Sequence, residues 1–311
     1  MLKKRLLLLC VVATLLNNNF AYGAKNKPIA LPVQTSLVID SKTGKILHEK
    51  NSTIQIYPAS LTKLMTLYLL FEAIESGKFS LNKRLYVSHN AERMPPCKLG
   101  VKKGEYITVR EAIGALATKS ANDASVVVAE GIAGTEARFV KIMNTRARQL
   151  GMKDTNFANA SGWHNPKQKT TAKDLAKLSI AIKRDYLPYY KFLSHNSFVF
   201  RGKVVRGHNR VNERYAGSEG LKTGYTSPSG YNLITAATRK NVSLIGVVTG
   251  GRSAASRDQQ MVQLLDKHFN QIQGSNTATK IAHPKSSNNK KSIAVAANSI
   301  KTKNKKKALE G

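Results

Sequence analysis

Pro58-Ala59-Ser60-Leu61-Thr62-Lys63-Leu64-Met65-Thr66 is the stretch on which the reading of this chain turns. It opens an apolar run from Leu61 to Ile74, rich in Leu and Met, that ends near Gly77. That length and composition predict a buried helix rather than a strand. Residues three apart on a helix share a face, with Cβ atoms about 5 to 6 Å apart, so Ser60 and Lys63 can touch. A serine hydroxyl is a weak nucleophile until a base takes its proton. A lysine amine becomes such a base when burial and a nearby cation lower its pKa. Leu61, Leu64 and Met65 supply the burial, and Lys222 is a candidate for the cation. Ser60 at the helix start also lies near the positive end of the helix dipole and near backbone N–H groups that suit an oxyanion.

Outward from this helix, Ser36–Asp40 and Lys45–His48 read as a hairpin around the turn Ser41-Lys42-Thr43-Gly44. Helical patterns cover 108–130, Phe139–Leu150 and Thr171–Lys183. The chain then turns β-like: a hairpin around Gly202 and a second one, Tyr231–Thr238 and Val242–Val248, turning at Arg239-Lys240-Asn241. Ser253–Phe269 closes as a helix with Met261, Leu265 and Phe269 on its packing side. Strands, then helices, then strands and a last helix predict an α/β domain over 35–270 whose antiparallel sheet joins the two ends of the chain.

The ends of the chain read differently from this body. Lys3, Lys4 and Arg5, the apolar Leu6–Leu16 and the small residues near Ala21–Ala24 form the three-part pattern of a secretory signal peptide over 1–24. A polar lead-in over 25–34 follows. From 271 to 311 the chain holds nine Lys and one Glu among many Asn, Ser, Thr and Ala, which predicts a disordered basic tail. The 311 residues carry 50 Lys+Arg against 18 Asp+Glu, a net charge of +32, so most of the excess belongs to the body. Two Cys build no disulfide scaffold, and removal of the leader leaves Cys97, in Pro95-Pro96-Cys97-Lys98, as a free surface thiol. The seven His show no metal-ligand spacing, and His164 reads as cleft-rim packing. No RNA- or DNA-binding motif accompanies the charge, so nucleic acid is not expected as a partner.

Three short motifs stand in a meaningful order: Ser60-Leu61-Thr62-Lys63, Ser120-Ala121-Asn122 and Lys222-Thr223-Gly224. Each alone is weak in a Lys-rich chain. Lys42-Thr43-Gly44 is a second copy of the third, and its place in a hairpin marks it as a plain turn. Together with Lys119-Ser120-Ala121-Asn122-Asp123-Ala124, the stretch from Gly162 to Thr171-Ala172-Lys173-Asp174-Leu175, and Leu221–Thr226 with Gly230-Tyr231-Asn232-Leu233, the set resembles the penicillin-interacting serine D,D-peptidases. The resemblance is to the D-alanyl-D-alanine carboxypeptidases of the low-molecular-mass penicillin-binding proteins, and it covers roughly 30–270.

The resemblance implies a β-lactamase/D,D-peptidase-like fold, with a helical subdomain beside the sheet. It implies that Ser60 is the acylated nucleophile, Lys63 its base and Ser120 the relay to the leaving amine. Asn122 would hold the substrate amide. Lys222 would hold Ser120 and tune Lys63, and Thr223 would bind the terminal carboxylate. Backbone N–H groups of Ser60 and Tyr225, beside Gly224, would form the oxyanion hole. Gly250-Gly251-Arg252-Ser253-Ala254-Ala255-Ser256-Arg257 points to Arg257, ahead of Arg252, as a second carboxylate ligand. Substrates would be peptidoglycan stem peptides ending in D-Ala-D-Ala, β-lactams would be inhibitors, and no cofactor is expected. The chain departs from relatives that carry a β-rich second domain and an amphipathic C-terminal anchor, so a single-domain exported enzyme is expected. Such forms include endopeptidases that cut D-alanyl cross-links. A β-lactamase would want a Glu in an E-x-x-L-N type segment between Ser120 and Lys222, which is missing. A non-catalytic basic protein clinging to anionic cell wall is the alternative of another class, and the Lys-rich tail is expected to touch such a surface.

Overall fold

Alternation at both ends of the chain builds one sheet, and the helices fill in around it. The computed structural model describes residues 32–281. In chain order, β1 (Thr35–Asp40) and β2 (Ile46–Lys50) pair, and a 3-10 turn (Ala59–Thr62) runs into α1 (Lys63–Glu75). Next come β3 (Arg84–Tyr86), α2 (His89–Glu92), β4 (Tyr106–Thr108), α3 (Val109–Gly114), a π-helical turn (Ala115–Lys119), α4 (Asn122–Ala133) and α5 (Glu136–Gln149). After them follow α6 (Ala172–Asp185), α7 (Leu187–Tyr190), β5 (Ser197–Phe200), β6 (Lys203–Arg206), α8 (Arg210–Arg214), β7 (Ser218–Thr226), β8 (Gly230–Arg239), β9 (Val242–Gly251) and α9 (Ala254–Ile281).

The main sheet has the order β2-β1-β9-β8-β7 and is antiparallel throughout. It joins the chain's two ends, as the pattern predicts. Successive strand residues point to opposite faces. Leu37, Ile39, Ile234, Ile245 and Val247 therefore join the large core shared with α1, α4 and α6. Val38, Leu233, Leu244 and Val248 meet Met261, Leu265 and Phe269 of α9 on the other face. Helix α1 is buried along nearly all of its length, as expected for a helix apolar all round. Asp40 accepts from the N–H groups of Lys42 and Thr43 at 2.9 and 2.8 Å, so the first Lys-Thr-Gly is indeed the turn of an exposed hairpin.

Three readings change. The helical pattern over 108–130 is cut in two, because Ser120 adopts a left-handed conformation (φ 65) between the π-helical turn and α4. Strand β7 was not legible as a strand, since Ser-Glu-Gly-Leu-Lys-Thr-Gly-Tyr-Thr holds two Gly and no Val or Ile, and its strand-favouring residues gather at its end. The last helix does not stop near Phe269 but runs to Ile281. Extending an existing helix costs far less than starting one. The leader (1–24), most of the lead-in and the tail from 282 onward lie outside the described residues. No described helix is long and apolar enough to cross a membrane.

Candidate active site

Ser60 sits, half-buried, in the 3-10 turn that opens α1, and Lys63 is the first residue of that helix. Lys63 is completely buried. Its Nζ lies 3.1 Å from Ser60 Oγ, 2.8 Å from Asn122 Oδ1 and 2.5 Å from the Ser161 carbonyl oxygen. Burial first, and the Lys222 cation second, hold its pKa well below the usual lysine value, against weaker opposing effects of Cys97 and Asp123. The three contacts have a directional consequence. A neutral amine has two N–H groups and one lone pair. Asn122 Oδ1 and the Ser161 carbonyl can only accept, so they take both N–H groups. The lone pair is left facing the Ser60 hydroxyl.

The other neighbours are fixed with equal care. Asn122 donates from Nδ2 to the carbonyls of Pro95 and Pro96 at 3.0 and 3.2 Å, which sets which end of its amide faces Lys63. Its backbone N–H donates to the Cys97 carbonyl at 2.7 Å. Asp123 accepts from Leu99 and Gly100 N–H at 3.0 and 2.8 Å, anchoring the same loop. Ser120 is buried, and its Oγ has no hydrogen-bond partner. Its left-handed backbone is the kind of strain that collects at functional sites.

Strand β7 supplies the opposite wall. Lys222 and Thr223 are buried there, while the Tyr225 ring is 54% exposed and packs 4.4 Å from Tyr231. A Cβ on Gly224 would come 3.1 Å from Ser60 N, a tight contact that would press the strand away from the nucleophile's amide. Burial pushes Lys222 down to about 7, the Cys97 thiol acts against this, and Arg257 adds to it. Lys222 Nζ donates to the Thr223 carbonyl at 2.9 Å and not to Ser120, so the expected Lys222–Ser120 hydrogen bond is not made. Arg257 reaches the cleft and Arg252 does not line it. The Arg257 guanidinium donates to Asn232 O at 2.9 Å and pairs with Asp258 at 2.7 Å.

These walls enclose a cleft of about 740 Å³. Ser60, Ser120, Asn122, Thr223, Gly224, Tyr225 and Arg257 all line it, with Lys63 and Lys222 buried behind. Residues from four separate regions of the chain thus converge, although up to 197 positions part Ser60 from Arg257 in the sequence. Sequence reasoning missed several lining residues. Cys97 is free and exposed, as expected, but it also faces the cleft. His208 shares the wall, and desolvation followed by Lys222, Lys119 and Arg257 pushes its imidazole down to about 4. The residue as a whole is nonetheless exposed to solvent. The Ser161 carbonyl had no signal of its own, because a backbone acceptor leaves no mark on residue type. Its one trace is Gly162, held at φ +84, where a Cβ would fall 1.9 Å from Ala59 O. His164 packs edge-on to Tyr57 at 4.9 Å on the rim. Among the described residues no group of three or more His, Cys, Asp or Glu side chains could hold a metal ion.

A nucleophile, a desolvated base aimed at it and a ring of cations suit acyl transfer from a substrate bearing a carboxylate. Comparison with known proteins points the same way. The family model for D-alanyl-D-alanine carboxypeptidase matches residues 23–253. The chain is 34% identical over 256 residues to the D-alanyl-D-alanine carboxypeptidase DacF of Bacillus subtilis, covering 81% of this chain and 66% of that protein. It is 33% identical over 248 residues to DacA of Escherichia coli, covering 77% and 61%. This chain therefore spans just under two thirds of those curated relatives. A D-alanyl-D-alanine endopeptidase of Pseudomonas aeruginosa is 29% identical over 78% of this chain and 82% of its own. Among solved structures, penicillin binding protein 5 from Haemophilus influenzae superposes with a TM-score of 0.74 at 33% identity, over 78% and 72% of the two chains. A penicillin-binding protein from Listeria monocytogenes in its ampicillin-bound form gives 0.70 at 29% identity, over 76% and 96%.

Proposed function

From a chain that belongs to the D-alanyl-D-alanine carboxypeptidase family, we propose a serine peptidase that removes the terminal D-Ala from peptides ending in D-Ala-D-Ala. The observation that carries this is Lys63: fully buried, 3.1 Å from Ser60 Oγ, with acceptors for both of its N–H groups. Lys63 takes the hydroxyl proton as Ser60 Oγ attacks the penultimate carbonyl carbon. The developing oxyanion meets the N–H groups of Ser60 and Tyr225. Asn122 borders the substrate amide. The C–N bond breaks, and the leaving D-Ala amine gains a proton through Ser120, whose hydroxyl is otherwise uncommitted. Thr223 and the Lys222 and Arg257 charges hold the terminal carboxylate. Two of the five Arg257 N–H groups are hydrogen-bonded, Nε to Asp258 and Nη1 to Asn232 O, and Nη2 pairs with Asp258, which leaves N–H groups on both Nη atoms for the substrate. Water then cleaves the Ser60 ester with Lys63 again taking a proton. Each step uses the chain's own groups.

Peptidoglycan stem peptides are the matching substrate class, and β-lactams would acylate Ser60 because their opened ring stays in the cleft. The basic leader pattern at 1–24 supports an exported, envelope-located enzyme. The test is labelling with a fluorescent penicillin, wild type beside Ser60→Ala, with mass spectrometry of the adduct and release of D-Ala from a pentapeptide. A label on Ser60 that is lost in the variant, with D-Ala released by the wild type only, is the expected result. Folded wild-type protein that takes no label and releases no D-Ala overturns the mechanism.

A further inference from the structure

The strap from Phe157 to Gly162 carries the carbonyl that orients Lys63, yet it belongs to no helix or sheet. Its backbone is held by side chains instead. Asn144 accepts from Phe157 N–H at 2.7 Å and donates to Phe157 O at 2.8 Å. Glu136 accepts from Ala160 N–H at 2.9 Å, and Thr66 donates to Ala160 O at 2.7 Å. Asn159 Oδ1 accepts from Gly162 N–H at 2.7 Å. Gln168, 2% exposed, does something none of these does. Its Oε1 accepts from the N–H groups of both Ala158 and Asn159, at 2.9 and 3.1 Å. Its Nε2 donates to Thr62 Oγ1 at 3.2 Å. Thr62 lies between Ser60 and Lys63 in the nucleophile turn. One buried amide thus ties the strap to the turn that carries both reacting groups.

We propose that Gln168 is a positioning residue for acylation: it locks the strap against the nucleophile turn and so fixes the Ser161 carbonyl that points the Lys63 lone pair at Ser60. The inference rests on the reading of Lys63 as the base for Ser60. Its physical content is directional. Without the tie the Ser161 carbonyl can drift, one Lys63 N–H loses its acceptor, and the amine is free to rotate. Misplacement of a reacting group by about 1 Å costs on the order of 100-fold in rate. Substrate contacts on the β7 wall are untouched, so the loss falls on the rate at saturation and not on binding.

The experiment is acylation of the full chain by a fluorescent penicillin, with concentration and pH varied, for wild type, Gln168→Leu, Gln168→Glu and Thr62→Val. Gln168→Leu keeps the volume and deletes all three Gln168 hydrogen bonds. Its saturating rate is expected to fall about 100-fold with a half-saturating concentration within about 2-fold of wild type. Gln168→Glu keeps the oxygen on the two strap N–H groups and can accept from Thr62, so it restores at least about a tenth of the wild-type rate. Thr62→Val cuts the tie from the other side and, combined with Gln168→Leu, adds nothing further. Gln168→Leu that folds and acylates at the wild-type saturating rate overturns the proposal. So does a loss confined to half-saturation, or Gln168→Glu as slow as Gln168→Leu at every pH. Where Gln168→Leu does not fold, a wild-type saturating rate in Thr62→Val overturns it instead. Wild type that takes no label on Ser60 defeats the functional reading itself, whereas labelled wild type with unimpaired variants defeats this inference alone.

Discussion

Lys63 illustrates what one residue gains from enclosure. Burial disfavours the ammonium, the Lys222 cation disfavours it further, and the folded pKa is depressed. The sign for activity follows directly. Below the depressed pKa the amine is protonated and cannot accept the Ser60 proton, and above it the base is ready. Acylation by penicillin is therefore expected to rise with pH through an acid limb and reach its plateau well below the ordinary lysine pKa of about 10.4. A stopped-flow pH profile checks this, and a limb centred near 10 would contradict it. Lys63→Arg keeps the charge but cannot lose a proton. On the plateau of the wild-type pH profile its acylation rate is expected to be at least about 100-fold lower, because a general base contributes roughly 100- to 10,000-fold, and the gap narrows down the acid limb, where Lys63 is itself protonated. Ser60 and Lys63 were legible as a pair from their spacing alone. The Ser161 carbonyl was not, because any residue type can offer one.

At the scale of elements, the site depends on irregular pieces rather than on the regular ones. The left-handed Ser120 ends a π-helical turn and delivers Ser120 and Asn122 to the cleft from one short corner. The 95–100 loop is pinned by Asp123 and in turn sets the Asn122 amide. The strap passes so close to the nucleophile turn that Gly162 has no room for a methyl group. Gly162→Ala is expected to cost about 3 kcal/mol of stability, from strained backbone at positive φ and from overpacking. A thermal melt reads this loss, and labelling of whatever folds should be slow, since Ala59 must move. A variant as stable and as fast as wild type would refute the close contact. Length and composition revealed α1, and apolar periodicity revealed α5 and α6. It failed at Ser120 and at β7, where cleft geometry overrides local propensity and the pattern carries no period.

The whole molecule is strongly basic, with 50 Lys+Arg against 18 Asp+Glu, and the residues beyond α9 are Lys-rich. Because α9 extends to Ile281, a clean test of the tail removes 282–311 and leaves the packed helix intact. Co-sedimentation of the full chain with anionic cell-wall polymer is expected to weaken on this truncation and to fall with added salt, since exposed charges are screened within about 8 Å at physiological ionic strength. Equal, salt-insensitive association of both forms would assign no role to the tail, and D-Ala release should be unchanged in either case. The sequence by itself determined the helix around Ser60 and Lys63, both terminal hairpins and the ordered set of motifs. Each of these is written in spacing, in apolar period or in turn residues, and all three are local properties of the chain. Only the tertiary structure decided which groups meet: the two acceptors on Lys63, the Lys222 amine on Thr223 instead of Ser120, and Gln168 bridging strap and turn. Apart from Lys222 turning to its neighbour Thr223, those are contacts between residues dozens to about a hundred positions apart, often through backbone atoms. Neither distance in space nor a carbonyl's direction is encoded in any local pattern.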